Sequence, residues 1–312
     1  MIRKAPALQK LLPFLTLIAL FTGLSIGSPY FLTETNLSSV VRQTAVINIM
    51  ALGMTMIVIC GGIDLSVGSI LALGGFAGCR AMAAGAPIPV GILVGIATGM
   101  FWGFINGFLT TKLRINPFIV TLGSMGIVRG LALILSGGLP VHELPKGFSF
   151  LGEGNLLRVP VVLWILVACG LIVHTILEHT RLGRYAFAIG SNPEAAIYAG
   201  VNSRFVTTAI YTIGGMLTGL AGMIEASRLM TGQPTAGQGY ELQAIAAVVI
   251  GGGSLRGGEG SVVGTLIGAF VMGLLANGSD LLGISPYVQQ AIIGAVIILA
   301  VAMDELRKRK VG

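Results

Sequence analysis

Ten apolar runs follow one another along this chain, and together they leave it only one solvent to fold in. They cover residues 11–27, 44–59, 66–83, 89–109, 118–136, 161–177, 206–226, 242–252, 261–276 and 288–303. Crossing a bilayer takes roughly 20 apolar residues, and helices buried inside a bundle can be shorter. Only the eighth run is too short to cross alone, unless it extends back towards Gly239. Charged residues make up 10% of the 312-residue sequence, against about 25% in soluble domains. Polar surface is therefore too scarce to wrap a water-soluble fold of this size. The chain reads as an all-α polytopic membrane helix bundle. It forms one transmembrane domain over 1–312 with about ten spans and several helix breaks.

The net charge of +7 does not point to nucleic acid, because the basic residues are scattered among loops and not gathered on one face. Membrane topology accounts for them better, since Lys and Arg concentrate in loops on the inner side. With the N-terminus inside, the inner segments hold Arg3, Lys4, Lys10, Lys112, Arg114, Arg181, Arg184, Arg204, Arg256, Arg307, Lys308, Arg309 and Lys310, thirteen of the nineteen basic residues. The outer loops hold Arg42, Lys146, Arg158 and Arg228. An even number of spans returns the C-terminus to the inside, so both termini are expected in the cytoplasm. The first run lacks a small-x-small cleavage site and reads as an uncleaved span.

Chemistry-bearing residues are few. Cys60, Cys79 and Cys169 lie apart in apolar runs, and His142, His174 and His179 share no motif, so no metal site is expected. The glycine-rich IGGGSLRGGEGSVVG at 250–264 lacks the Gly-Lys-Ser/Thr of a phosphate loop. Any ATP chemistry belongs on another polypeptide. The same stretch resembles CGGIDLSVGS at 60–69 in form, and this suggests an internal duplication.

In CGGIDLSVGS two glycines end one helix, and Asp64 or Ser66 is suited to cap the next. An ionisable group near a break inside a membrane is also a candidate for the permeation path or its gate. Both readings stand. Asn106 and Asn116 are likewise candidates for the path or for satisfying helix ends. TGQPTAGQGYELQAIAAVV at 231–249 is polar and broken yet flanked by apolar spans. Irregular backbone at membrane depth survives only inside protein or along a water-filled cavity. Gln233, Gln238 and Tyr240 either line a hydrophilic pathway or belong to an ordinary outer loop. Gly91, Gly95, Gly99, Gly103 and Gly107 recur every fourth residue, which bares one face of the fourth span for close helix packing.

The polar island at 178–205 stands out in this setting. It carries Arg181, Arg184 and Arg204, then a Ser191-Asn192-Pro193 turn that starts a short helix, with Glu194 in its first turn and Gly200 ending it. A small-faced helix of this kind on the inner surface is suited to a cleft in a soluble motor subunit. The longest polar outer loop, 137–160, is a candidate docking surface for a soluble partner.

Five stretches carry a resemblance: GGIDLSVGS (61–69), NPFIVTLG (116–123), HTRLGRYAFAIGSNPEAAIYAGVN (179–202), QPTAGQGYELQAIAAVVIGGGSLRGGEGSVVGTLIGA (233–269) and NGSDLLGISPYVQQ (277–290). Together they resemble the permease subunits of bacterial ABC sugar importers of the ribose, xylose, galactose and autoinducer-2 type, nearest to the ribose type. The loop 137–160 fits that pattern least. The resemblance implies a non-enzymatic inner-membrane subunit that carries a monosaccharide. Its implied partners are cytoplasmic ATPase subunits holding ATP and Mg²⁺, a periplasmic sugar-binding protein, a second permease copy or paralogue, and membrane lipid. It also assigns the loop 178–205 to coupling, through Asn192, Pro193, Glu194, Ala195, Ala196 and Gly200. The competing reading is a secondary carrier or channel driven by an ion gradient; a membrane enzyme would need a catalytic cluster that the sequence lacks.

Overall fold

The structure is a computed structural model that describes residues 7–309. Each apolar run carries one helix. In order these are α1 (Ala7–Gly27), α2 (Glu34–Ile59), α3 (Val67–Ala83), α4 (Ile88–Lys112), α5 (Pro117–Ser136), α7 (Val161–His179), α10 (Ser203–Leu229), α11 (Tyr240–Ile250), α12 (Val262–Leu281) and α13 (Pro286–Arg309). Three short helices connect them: α6 (Phe150–Glu153), α8 (Arg181–Ser191) and α9 (Pro193–Tyr198). The described residues hold one sheet, a hairpin of two residues per strand, Asn155–Leu156 and Val159–Pro160. Among the described residues six helices are long and apolar enough to cross a membrane, namely α2, α4, α5, α7, α10 and α12, while α1, α3, α11 and α13 contribute shorter apolar segments. The expectations for Arg3, Lys4 and Lys310 lie outside the described residues.

Helix α2 is the axis of the bundle: from Thr44 to Ile59 every residue is buried. A helix that is apolar on all sides belongs in the interior, and α10, α12, α7 and α11 surround this one. The most extensive contact joins α4 to α10. There the glycines of α4 turn inward; all five are buried. A Cβ on Gly99 would stand 2.8 Å from the Cα of Gly219, and one on Gly103 would stand 2.9 Å from the Cα of Gly215. Gly91 and Gly95 approach Gly78 and Gly74 of α3, with Met82 and Met223 filling the space beside them. Lipid tails are as apolar as leucine, so close backbone approach and dispersion hold such helices together.

Helix ends are capped by the residues whose side chains suit the task. Thr33, Asn116, Thr180, Asn192, Asn202 and Ser261 each accept a first-turn N–H at the start of α2, α5, α8, α9, α10 and α12. Gly137 ends α5 in the left-handed conformation.

Candidate functional site

Between α2 and α3 the chain breaks at Gly61 and Gly62 and runs through Ile63 to Asp64. Asp64 Oδ1 accepts the Ser66 N–H at 2.8 Å and the Ser66 hydroxyl at 2.5 Å. Asn106 of α4 donates to Ser66 Oγ at 2.8 Å and to Asp64 Oδ2 at 3.4 Å, while its own carbonyl accepts the Ser124 hydroxyl of α5. One residue earlier, the Ile63 carbonyl accepts from Thr121 of α5 and Tyr211 of α10. Asp64, Ser66 and Asn106 are wholly buried. Ser66 stands at the N-cap of α3 but makes no side-chain cap bond, because its hydroxyl turns to Asp64 instead. The result is a closed polar knot joining the α2–α3 break to α4, α5 and α10. Asn116 is remote from it: this residue is exposed and caps α5 through the Phe118 N–H.

The segment after α10 runs back into the bundle. Gly232 packs on Cys79 and Phe76 towards the end of α3, whereas Gly237 packs on Gly68 and Leu71 near its start. Residues 232–237 therefore descend along about three turns of α3, or roughly 16 Å. They do so through two turns, closed by the Ala236 N–H to Gln233 and the Tyr240 N–H to Gly237. Helix α11 starts only there, so this eleven-residue helix does not extend back past Tyr240. Gly232, Pro234 and Gly237 are buried, while Gln233, Thr235 and Gln238 are exposed. Tyr240 turns away from that surface and donates to Glu225, which Arg228 also grips through Nε and Nη2.

Two charged residues hold this region. Glu241 lies half-buried against Gly68 at the start of α3. Arg129 was passed over, although an arginine within the apolar run 118–136 is itself a signal. Its Nη1 donates to the carbonyls of Pro234 at 2.8 Å and Ala236 at 2.9 Å.

The loop 137–160 is folded onto the same end. Val141 and Gly232 exchange both backbone bonds, and Ser227 donates to the Phe148 carbonyl and accepts the Gly152 N–H. Arg42 of α2 pairs with Glu153 at 3.2 Å. Leu139, Phe150, Leu156 and Leu157 remain exposed on this loop.

At the other end α8 and α9 pack together. Thr180 caps α8, whose buried Gly183, Ala186 and Ile189 face inward while Arg181, Arg184 and Tyr185 face outward. Near its end, Gly190 lies against the Ile59 carbonyl and Gly258, and Gly257 lies against Gly190 and Gly61. The Gly258 N–H donates to the Ile59 carbonyl at 2.9 Å. Backbone thus meets backbone where α8, the end of α2 and the α11–α12 loop join. Asn192 caps α9, with Pro193 and Glu194 in the first turn, and Gly200 closes it at φ 82°. Within 192–200 only Ala196 is buried; Ile197 and Tyr198 are 59% and 89% exposed.

A bundle of apolar helices, six of them among the described residues long enough to cross a bilayer, is that of a multi-pass membrane protein. The chain belongs to the family described as branched-chain amino acid transport system / permease component, whose pattern matches residues 36–301. It is 42% identical over 304 residues to the ribose import permease protein RbsC of Escherichia coli (strain K12), covering 96% of this chain and 94% of that one. It is 44% identical over 299 residues to RbsC of Bacillus subtilis (strain 168), with 95% and 93% covered. The D-allose transport system permease protein AlsC of Escherichia coli (strain K12) is 35% identical over 291 residues, with 93% and 89% covered. No solved structure matches the chain. The chain is a multi-pass permease of the bacterial inner membrane.

Proposed function

We propose that this chain is the translocation subunit of an ATP-binding-cassette importer carrying a ribose-like monosaccharide. The observation that carries this is the 42–44% identity to ribose import permeases over nearly the whole chain. An ion-driven carrier is not favoured, since Glu225 is held by Arg228 and Tyr240 and Asp64 by Ser66 and Asn106. In this reading nine of the apolar helices cross, and α11 completes a tenth crossing together with the irregular segment before it, with both termini and α8–α9 on the cytoplasmic side and 137–160 on the periplasmic side.

The α9 helix is the contact for a separate ATPase subunit. Ile197 and Tyr198 expose a large apolar tip at the polar end of the molecule, where water and not lipid surrounds it. Exposed apolar patches rimmed by polar residues mark protein interfaces. Asn192, Pro193 and Glu194 set the helix start, Ala195 and Ala196 keep its faces small, and Gly200 ends it. The backbone junction of Gly190, Gly61, Gly257 and Gly258 would carry a displacement of α8 and α9 into α2 and the α11–α12 loop. On the opposite side, the apolar rim of 137–160 would receive the sugar-binding protein.

The path runs beside segment 231–239. Gln233, Thr235 and Gln238 are exposed, and beyond the Gln233–Thr235 bond at 3.1 Å their polar atoms would find no partner in lipid, so water and a second permease copy or paralogue cover that surface in this reading. Such a path needs only weak contacts with hydroxyl groups, because the soluble receptor supplies affinity. Nothing in the proposed role calls for catalysis by this chain; ATP and Mg²⁺ would be held by the partner. Uptake of labelled ribose into cells lacking their own ribose permease, complemented by this chain and its partner subunits, tests the proposal. Uptake of a different sugar class would revise the substrate, and uptake without the ATPase subunit would overturn the importer assignment.

A further inference from the structure

We propose that Arg129 is the positioning residue of the permeation path: it pins the irregular segment 231–239 in place by donating to two backbone carbonyls that the local fold leaves without partners. This inference rests on the reading of that segment as path-lining.

Three observations carry it. First, Arg129 lies twelve residues into α5, about 18 Å along the helix, at a depth where a charged side chain is costly and rarely without a task. Second, the carbonyls of Pro234 and Ala236 belong to neither a helix nor a strand, and Arg129 Nη1 donates to both. Pro234 is buried and Ala236 half-buried in protein, where water does not readily replace such a donor, so the irregular backbone holds its course through the guanidinium. Third, Glu241 at the lower end of the same segment accepts the Gly239 N–H at 3.3 Å. The segment is thus tied at one end by Glu241, in the middle by Arg129, and at the other by the paired backbone of Val141 and Gly232.

The planar guanidinium sets two N–H bonds from a single nitrogen at fixed angles, a geometry that a lysine ammonium reproduces only in part. Glutamine is shorter and has lost the charge. Arg129→Gln should therefore release the segment, and Arg129→Lys should restrain it partially.

The test places a reporter cysteine at Ala236, which is half-buried, in the full-length chain co-expressed with its partner subunits. Cys60, Cys79 and Cys169 are buried and leave a low background. Membrane vesicles are treated with a membrane-impermeant maleimide, and sugar uptake and ATP hydrolysis are followed in parallel. With Arg129→Gln, labelling of the Ala236→Cys chain should rise about tenfold. Uptake should fall by a similar factor while receptor-stimulated ATP hydrolysis persists. Arg129→Lys should recover part of both protection and uptake. If Arg129→Gln does not accumulate, Arg129→Lys decides alone: intermediate labelling with reduced uptake supports the proposal, and parental values for both overturn it. Unchanged labelling with lost uptake also overturns it, because Arg129 would then act on the sugar directly. Should the parental complex transport no sugar, the assigned function fails, yet the labelling contrast still decides whether Arg129 holds the segment.

Discussion

Asp64 illustrates how little a residue type says before its neighbours are known. In sequence it is the one carboxylate beside a break in an apolar run, open equally to gating and capping. In the folded chain its two oxygens accept from Ser66 and Asn106, and it is wholly buried. Removing the carboxylate leaves several buried donors without acceptors, and each such orphan costs about 1–3 kcal/mol. Asp64→Ala should therefore lower the melting temperature and folded yield of the detergent-solubilised chain. Asp64→Asn keeps the Oδ1 acceptor and should transport nearly as well as the parent. Loss of transport by a well-folded Asp64→Asn chain would show that the charge itself is used in the cycle. Arg129 is the converse case. Its position inside an apolar run was visible in the sequence, but its partners are main-chain carbonyls more than a hundred residues away, and no side-chain pattern announces those.

At the level of elements, the fourfold glycine spacing of α4 was legible because a bare helix face has one common physical use. Its facing glycines on α10, Gly215 and Gly219, follow the same spacing. Gly99→Leu would drive a branched side chain into the backbone of Gly215 and Gly219. Overpacking costs about 1–3 kcal/mol or more, so the variant should show reduced folded yield by size-exclusion chromatography; a normal yield would argue against close α4–α10 packing. Helix α9 was equally legible from Asn-Pro-Glu at its start and Gly200 at its end. The amphipathic α8 before it was not, because Gly183 and Gly190 weaken its helical signal and only tertiary contact reveals why they are needed. Glu194→Arg reverses a charge on the exposed face of α9. It should reduce co-purification of the ATPase subunit and uptake at least tenfold without changing membrane insertion. Undiminished uptake would remove α9 from the coupling interface. Tyr198→Ala should act in the same direction, through loss of the exposed aromatic contact.

For the whole molecule, hydropathy alone located all ten apolar helices, since a bilayer punishes any unpaired backbone and enforces helices wherever the chain is apolar. What it could not locate was the route of residues 231–239, whose polar composition suits an outer loop and an inner path equally. The close approach of Gly232 to Cys79 and of Gly237 to Gly68 lays the segment along α3, and that course depends on the fold of α3 and not on local sequence. The short α11 follows from the same course, because the irregular segment already covers part of the depth. The importer assignment is tested most directly by reconstituting the permease with its ATPase subunit in liposomes and measuring uptake of labelled ribose through the loaded binding protein. Uptake should require ATP inside the face that carries α9, and should vanish when either the ATPase subunit or the binding protein is omitted. Accumulation driven by an ion gradient alone, with no ATPase present, would contradict it.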